Sequence, residues 1–139
     1  MYWHRKLPQW VPEGFPLFVT WRLAAGPQWP GRPLVADIVA DALVPGELVR
    51  HSYGLLAWVV MPDHVHSVMK PIHPLPEIMR WLKTATAHRA NALLDRTGAT
   101  FWRREYYDRW MRSEKELGAA IGYVEENPVR SGLAACAEE

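Results

Sequence analysis

His64 and His66 stand two residues apart in the run Met61-Pro62-Asp63-His64-Val65-His66-Ser67-Val68-Met69. In an extended strand, residues i and i+2 project from the same face. Two imidazoles so placed can hold a divalent cation and leave coordination positions open for a substrate. The pair alone is ambiguous, since His-x-His strands serve zinc and iron sites and two histidines also coincide by chance. A third ligand therefore matters. Tyr123 and Asn127 lie i, i+4 in a segment that reads as helix, so they share a face, with Ala119 one turn earlier on the same line. Asn127 offers an oxygen to a hard cation such as Mg²⁺ or Mn²⁺, and Tyr123 offers a nucleophilic hydroxyl one turn away. The plainer alternative is that Tyr123 packs at the core edge and Asn127 closes the helix before Pro128. Asp63 either accepts a hydrogen bond from a histidine or serves the turn beside Pro62.

The elements that must position these residues follow from periodicity and breakers. Residues 1–14 read as an irregular lead-in, with prolines at 8 and 12. Phe15–Leu23 reads as a strand, and Gly26, Pro27, Pro30, Gly31 and Pro33 mark a loop. Leu34–Val44 has helical spacing and ends at Pro45-Gly46. Tyr53–Met61 and His64–Met69 read as antiparallel strands around a break at Pro62-Asp63. Glu77–Leu94 is a long helix with Ile78, Leu82, Ala85, Arg89 and Leu93 near one side, and Gly98 is its expected C-terminal cap. Phe101–Met111 is ambiguous, with strand character around Tyr106–Met111. Ser113-x-x-Glu116 is a capping box. It opens a last helix with Leu117, Ile121 and Val124 as its apolar stripe, expected to end near Asn127 because Pro128 disfavours helical geometry before it. The order β-α-β-β-α-(β)-α implies one α+β domain over residues 1–139: a ferredoxin-like antiparallel sheet with helices packed on one side.

Composition narrows the class further. A chain of 139 residues that is 49% hydrophobic and 22% charged suits one globular domain. No apolar run reaches the roughly 20 residues of a membrane helix, and the N-terminus has no apolar signal core. The single cysteine, Cys136, reads as a stray thiol. Together these point to a cytoplasmic protein with no membrane partner. The net charge is +1, but residues 80–112 hold eight basic and three acidic residues, a local charge of +5. Trp102, Tyr106, Tyr107 and Trp110 are interleaved with those arginines. Aromatic rings among arginines suit unstacked bases and phosphates, although a charged face is more often solvated surface.

Four segments, in order over residues 15–133, resemble the single-tyrosine HUH transposases, particularly their REP-associated branch. Trp58-Val59-Val60-Met61-Pro62-Asp63-His64-Val65-His66 resembles the apolar strand that enters the HUH motif (histidine, hydrophobic, histidine). Leu82-Lys83-Thr84 resembles the lysine-bearing start of the following helix. Phe101-Trp102, Tyr106-Tyr107-Asp108-Arg109 and Arg112 with Glu114 and Glu116 resemble the segment before the last helix. Tyr123-Val124-Glu125-Glu126-Asn127-Pro128-Val129-Arg130-Ser131-Gly132-Leu133 resembles the tyrosine helix. Members of the REP-associated branch usually continue beyond this point with a tryptophan-bearing tail, which the sequence to Glu139 does not contain.

The resemblance implies that His64, His66 and Asn127 bind one divalent metal, Mg²⁺ or Mn²⁺, and that Tyr123 is the nucleophile. It implies nicking and strand transfer on single-stranded DNA, often beside a hairpin, through a 5′-phosphotyrosine linkage. Relatives act as homodimers that exchange tyrosine helices or as monomers. The basic stretch would track the DNA backbone; Arg89, Arg103, Arg104 and Arg109 are candidate phosphate contacts, with Lys83 near the DNA. Gly118 and Gly122 flank Tyr123, and either let its helix approach the site closely or shift, or answer to packing. Two other readings are a domesticated hairpin-binding regulator that no longer cuts, and an unrelated metalloenzyme using the histidine pair on small molecules. The last gives Tyr123 and the basic segment no role.

Overall fold

The computed structural model describes residues 2–4, 15–24, 33–61 and 63–130, with side chains described for 15–24, 36–47, 49–61 and 63–126. Its elements are β1 (Tyr2–His4), β2 (Leu17–Leu23), α1 (Pro33–Leu48), β3 (Tyr53–Val60), β4 (His64–Pro71), α2 (Leu75–Leu93), β5 (Trp102–Trp110) and α3 (Glu114–Arg130). The strands form one antiparallel sheet in the order β1-β3-β4-β2-β5. Without β1 this is the ferredoxin-like α+β arrangement, in which β4 lies between β3 and β2. The expected irregular lead-in is corrected at its start, where Tyr2–His4 pairs with Ala57–Val59 as an edge strand. Residues 5–14, the loop from Gly26 to Pro30 and Gly31, Pro62 and Cys136 lie outside the described residues. No described helix is long and apolar enough to cross a membrane.

The helices do not share one side of the sheet, which corrects the expected single layer. α1 and α2 cover one face, over a core that includes Leu17, Val19, Trp21, Trp58, Val65 and Met69. α3 covers the other, where Leu117, Ile121 and Val124 meet Val59, Met61 and Val68. Burial on both faces explains why β3 reads as an unbroken apolar run rather than an alternation. A bulge between Leu55 and Ala57 shifts the alternation, so that Leu55 enters the first core and Leu56 the second.

Several boundaries differ from the expected ones for local reasons. α1 passes through Pro45, whose carbonyl closes the end of the helix by accepting the Val49 and Arg50 N–H groups at 2.8 and 3.0 Å. α2 ends through Leu94, followed by Asp95 at φ 57°, so Gly98 at φ 87° belongs to the next turn and is not the cap. Its buried side is Ile78, Met79, Leu82, Thr86, Ala90 and Asn91, while Arg89 and Leu93 face outward. β5 is a full strand from Trp102, masked in the sequence because an edge strand keeps most of its side chains in solvent. α3 runs two residues beyond Pro128. Its cap is a capping box shifted by one residue: Ser113 Oγ accepts the Glu116 N–H at 3.1 Å, and the Glu116 carboxylate accepts the Arg112 N–H at 2.7 Å.

The glycines predict opposite outcomes. A Cβ on Gly46 would lie 2.0 Å from the hydroxyl of Tyr53, which is buried and donates to the Leu43 carbonyl at 2.6 Å. Gly46→Ala is expected to cost about 1–3 kcal/mol through overpacking. A Cβ on Gly118 or Gly122 meets nothing within 4 Å, so close helix approach does not require them. Gly118→Ala and Gly122→Ala are each expected to stabilise by about 0.5–1 kcal/mol. Urea unfolding of the three variants checks both signs.

Candidate active site

Strand alternation places His64, His66 and Val68 on the α3 side of β4, and Val65 and Met69 on the other. Each histidine is held through its Nδ1. His64 Nδ1 lies 2.6 Å from Asp63 Oδ1, and His66 Nδ1 lies 2.7 Å from Thr20 Oγ1. Thr20 is opposite His66 in the β2–β4 register, so the sheet itself delivers this partner. An Nδ1–H donated to Asp63, and one donated to Thr20, leave both Nε2 atoms as lone pairs. Those two Nε2 atoms converge to 3.1 Å. Two lone pairs at that distance repel unless a proton or a cation lies between them. Two nitrogens about 2.1 Å from one ion and at right angles around it are about 3.0 Å apart, so the observed spacing fits a shared cation without movement.

The electrostatics favour the same state. Burial, and then the neighbouring His64 and Arg22, push the His66 pKa down to about 4 against the opposing pull of Asp63, so its ring is neutral at neutral pH. The hydrogen bond from His64 holds the Asp63 carboxyl below the usual range. Because unfolded His66 titrates near 6.5, the unfolded chain binds the extra proton between about pH 6.5 and 4. Stability should therefore be full above pH 6.5 and fall with pH across that window, by up to about 3 kcal/mol. Asp63 adds a loss of the same sign at lower pH. Urea unfolding in chelator at stepped pH checks this, and His66→Phe should flatten the dependence above pH 4.

Tyr123 joins the histidines within the same chain. Its ring centroid lies 5.5 Å from that of His66, and Phe18 packs against both rings at 5.8 and 5.3 Å. Tyr123 is 40% exposed. It lines a cavity of about 760 Å³ together with Ala119, Thr20, His66 and Arg22. Asn127 lies on α3 one turn beyond Tyr123, but its side chain lies outside the described residues. Among the described residues, no third His, Cys, Asp or Glu joins the pair.

The basic candidates separate. Arg103 and Arg109 line the cavity, alternating along β5 with Glu105 and Tyr107. Arg104 does not line it. Lys83, on α2, donates from Nζ to the carbonyls of Arg103 and Arg104 at 2.5 and 2.8 Å, and burial lowers its pKa. It anchors β5 from the opposite face of the sheet. Arg89 lies 3.6 Å from Asp41 of α1, also on that face. Sequence reading missed Thr20, Phe18 and Arg22. Their alternation in β2 was visible, but their register against His66 was not.

A ferredoxin-like sheet with a histidine pair on its central strand, and a tyrosine helix laid across that pair, defines the HUH transposase class of fold. A model of the family described as "Transposase IS200 like" matches residues 46–127. The chain belongs to the IS200-like transposase family. Among solved structures it is similar to a REP-associated tyrosine transposase bound to a REP hairpin, at 18% identity and TM-score 0.72, covering 94% of this chain and 76% of that one. It is also similar to a protein from Deinococcus radiodurans R1 described as a transposase, at 21% identity and TM-score 0.51, covering 88% and 96%. No curated protein matches. At these identities the structural likeness speaks for the fold.

Proposed function

We propose that this protein is a divalent-metal-dependent nickase and strand transferase of single-stranded DNA, with Tyr123 as nucleophile and a 5′-phosphotyrosine intermediate. The observation that carries the reading is the meeting, in one chain, of two converging Nε2 atoms 3.1 Å apart and a tyrosine whose ring centroid lies 5.5 Å from that of His66. His64 and His66, with Asn127 as the third protein ligand, would hold Mg²⁺ or Mn²⁺. Bound there, the ion supplies Lewis acidity at the scissile phosphate.

The remaining work falls to the protein. Arg22, Arg103 and Arg109 line the cavity and draw in the phosphate backbone. Tyr123 Oη bonds to phosphorus as it loses its proton, the P–O3′ bond breaks, and the departing oxygen ends as a 3′-hydroxyl. The phosphoryl bond is retained in the protein–DNA linkage, so a 3′-hydroxyl can later reverse the step and rejoin a strand. Asp63 and Thr20 hold the imidazoles in one tautomer. The Tyr123 ring packs on His66 of its own chain, which supports action in cis.

The test is incubation with labelled single-stranded oligonucleotides, with and without hairpins, in Mg²⁺ or Mn²⁺, followed by a denaturing gel. A covalent protein–DNA band that needs metal is expected. Tight DNA binding with no such band in either metal, across varied sequences, would instead identify a binding protein that does not cut.

A further inference from the structure

Of the four aromatic residues in β5, the pairing with β2 turns only Tyr107 toward the histidines. Trp110 lies opposite Leu17 and Tyr106 opposite Trp21, and both partners belong to the core under α1 and α2. Trp102 is buried on that side too, where its Nε1–H donates to Thr86 of α2 at 2.8 Å. Tyr107 instead lies opposite Thr20, and Thr20 lies opposite His66. Residues paired across a sheet present their side chains to one face, and Thr20 Oγ1 meets the His66 ring. His66, Thr20 and Tyr107 therefore form one row across β4, β2 and β5, on the face that carries the site.

Tyr107 is 58% exposed, high for an aromatic side chain. It makes no ring contact or hydrogen bond to a described residue, so the fold draws little from it. It lines the cavity that also holds His66 and Tyr123. Two strand spacings, about 10 Å, separate its place in the row from that of His66, a gap that a neighbouring nucleotide can bridge. Arg109, two residues along the same face, lies opposite Phe18, whose ring packs on both His66 and Tyr123. Arg103 lines the cavity on the other side of Tyr107 along the strand. An open π-face between guanidinium groups matches the two parts of a nucleotide, a base to stack and a phosphate to neutralise.

We propose that Tyr107 is the stacking platform for one unpaired base of the strand engaged at the histidines, a neighbour of the nucleotide whose phosphate is cut, with Arg109 at its phosphate. The proposal rests on the single-stranded DNA reading above and deepens it. It assigns base binding on this face to Tyr107 and denies it to Trp102, Tyr106 and Trp110. Every base has a π-face, so stacking here adds affinity without selecting a sequence.

Two fluorescent strands of equal length, oligo(dT) and a fully abasic deoxyribose-phosphate strand, test this by anisotropy with the full chain in chelator. Low salt is used, where phosphate contacts alone hold a strand. Wild type should bind oligo(dT) about tenfold more tightly than the abasic strand. Tyr107→Ala should lose most of that advantage and bind the abasic strand as wild type does. Tyr107→Phe, which keeps the ring, should bind both strands as wild type does. Trp110→Ala, on the opposite face, should leave both affinities unchanged; thermal melts verify that each variant is folded. A folded Tyr107→Ala that binds oligo(dT) as wild type does, or that weakens on both strands equally, overturns the proposal. So does a folded Trp110→Ala that loses the preference for oligo(dT). Failure of wild type to bind either strand overturns the single-strand reading and this proposal together, an outcome distinguishable from binding that ignores Tyr107.

Discussion

Tyr123→Phe should give a folded protein that still binds single-stranded DNA and forms no covalent adduct with it. The substitution removes one oxygen and keeps the ring that packs against His66 and Phe18. Tyr123 is 40% exposed, so the stability change should stay within about 1 kcal/mol. The effect on chemistry is of another order. Without the hydroxyl no phosphotyrosine can form, and cleavage should fall by about ten-thousand-fold or more, as when other enzymes lose a nucleophile. The check is a gel for the adduct, anisotropy for binding and a melt for the fold, all on the same preparation. An adduct that persists in Tyr123→Phe would assign the nucleophile to another residue. Cleavage that continues without an adduct would make water the attacking group.

His66→Ala should abolish metal-dependent cleavage, and the graded form of that experiment tests the geometry more sharply. Replacing His66 removes one of the two converging nitrogens, but it also leaves a hole beneath α3 and takes away the ring against which Phe18 and Tyr123 pack. Part of any loss would then be structural. Thr20→Val avoids this, since it keeps the shape and deletes only the oxygen 2.7 Å from His66 Nδ1. With no acceptor at Nδ1, the proton is free to move to Nε2 and block the lone pair. Loss of such a supporting partner should weaken metal binding by about 10- to 100-fold. Asp63→Asn, acting on His64 Nδ1 at 2.6 Å, should do the same. Mn²⁺ binding followed by electron paramagnetic resonance, with metal titrations of cleavage, reads both. Restoration of Thr20→Val activity by excess Mn²⁺ is the expected signature. Unchanged Mn²⁺ affinity in both variants would remove the histidine pair from the metal site.

The pattern of burial explains which features could be read along the chain. The apolar run Leu55-Leu56-Ala57-Trp58-Val59-Val60 is continuous because both faces of the sheet are covered. That run was a legible sign of helices on two faces, and the expectation of one helical layer overlooked it. β5 was obscured for the converse reason: its side chains from Arg103 to Trp110 are largely exposed, so no hydrophobic period marks it. Pro45 and Pro128 were taken as helix ends, yet each lies close enough to a terminus that losing one N–H does not stop the chain from completing the last turn. Lys83 was read by its charge. Its long stem instead carries the ammonium to two carbonyls of the edge strand.

The sequence by itself determined the features that depend on one element's own period. Residues two apart in β4 put His64 and His66 side by side, and residues four apart in α3 put Ala119 and Tyr123 on one line with position 127. The order of elements, with these motifs, implied the ferredoxin-like sheet. The tertiary structure decided everything that needed two elements at once. It set Thr20 opposite His66 across 46 residues of chain, placed α3 on the histidine face, and brought Tyr123 to those histidines within one subunit. It also sorted the cations, leaving Arg22, Arg103 and Arg109 at the cavity and Lys83 and Arg89 behind the sheet. The physical reason is that a period is a property of local backbone geometry. Register and the choice of face are fixed by burial between strands and helices distant in sequence, where a slip of one residue would turn every side chain of a strand to the opposite side.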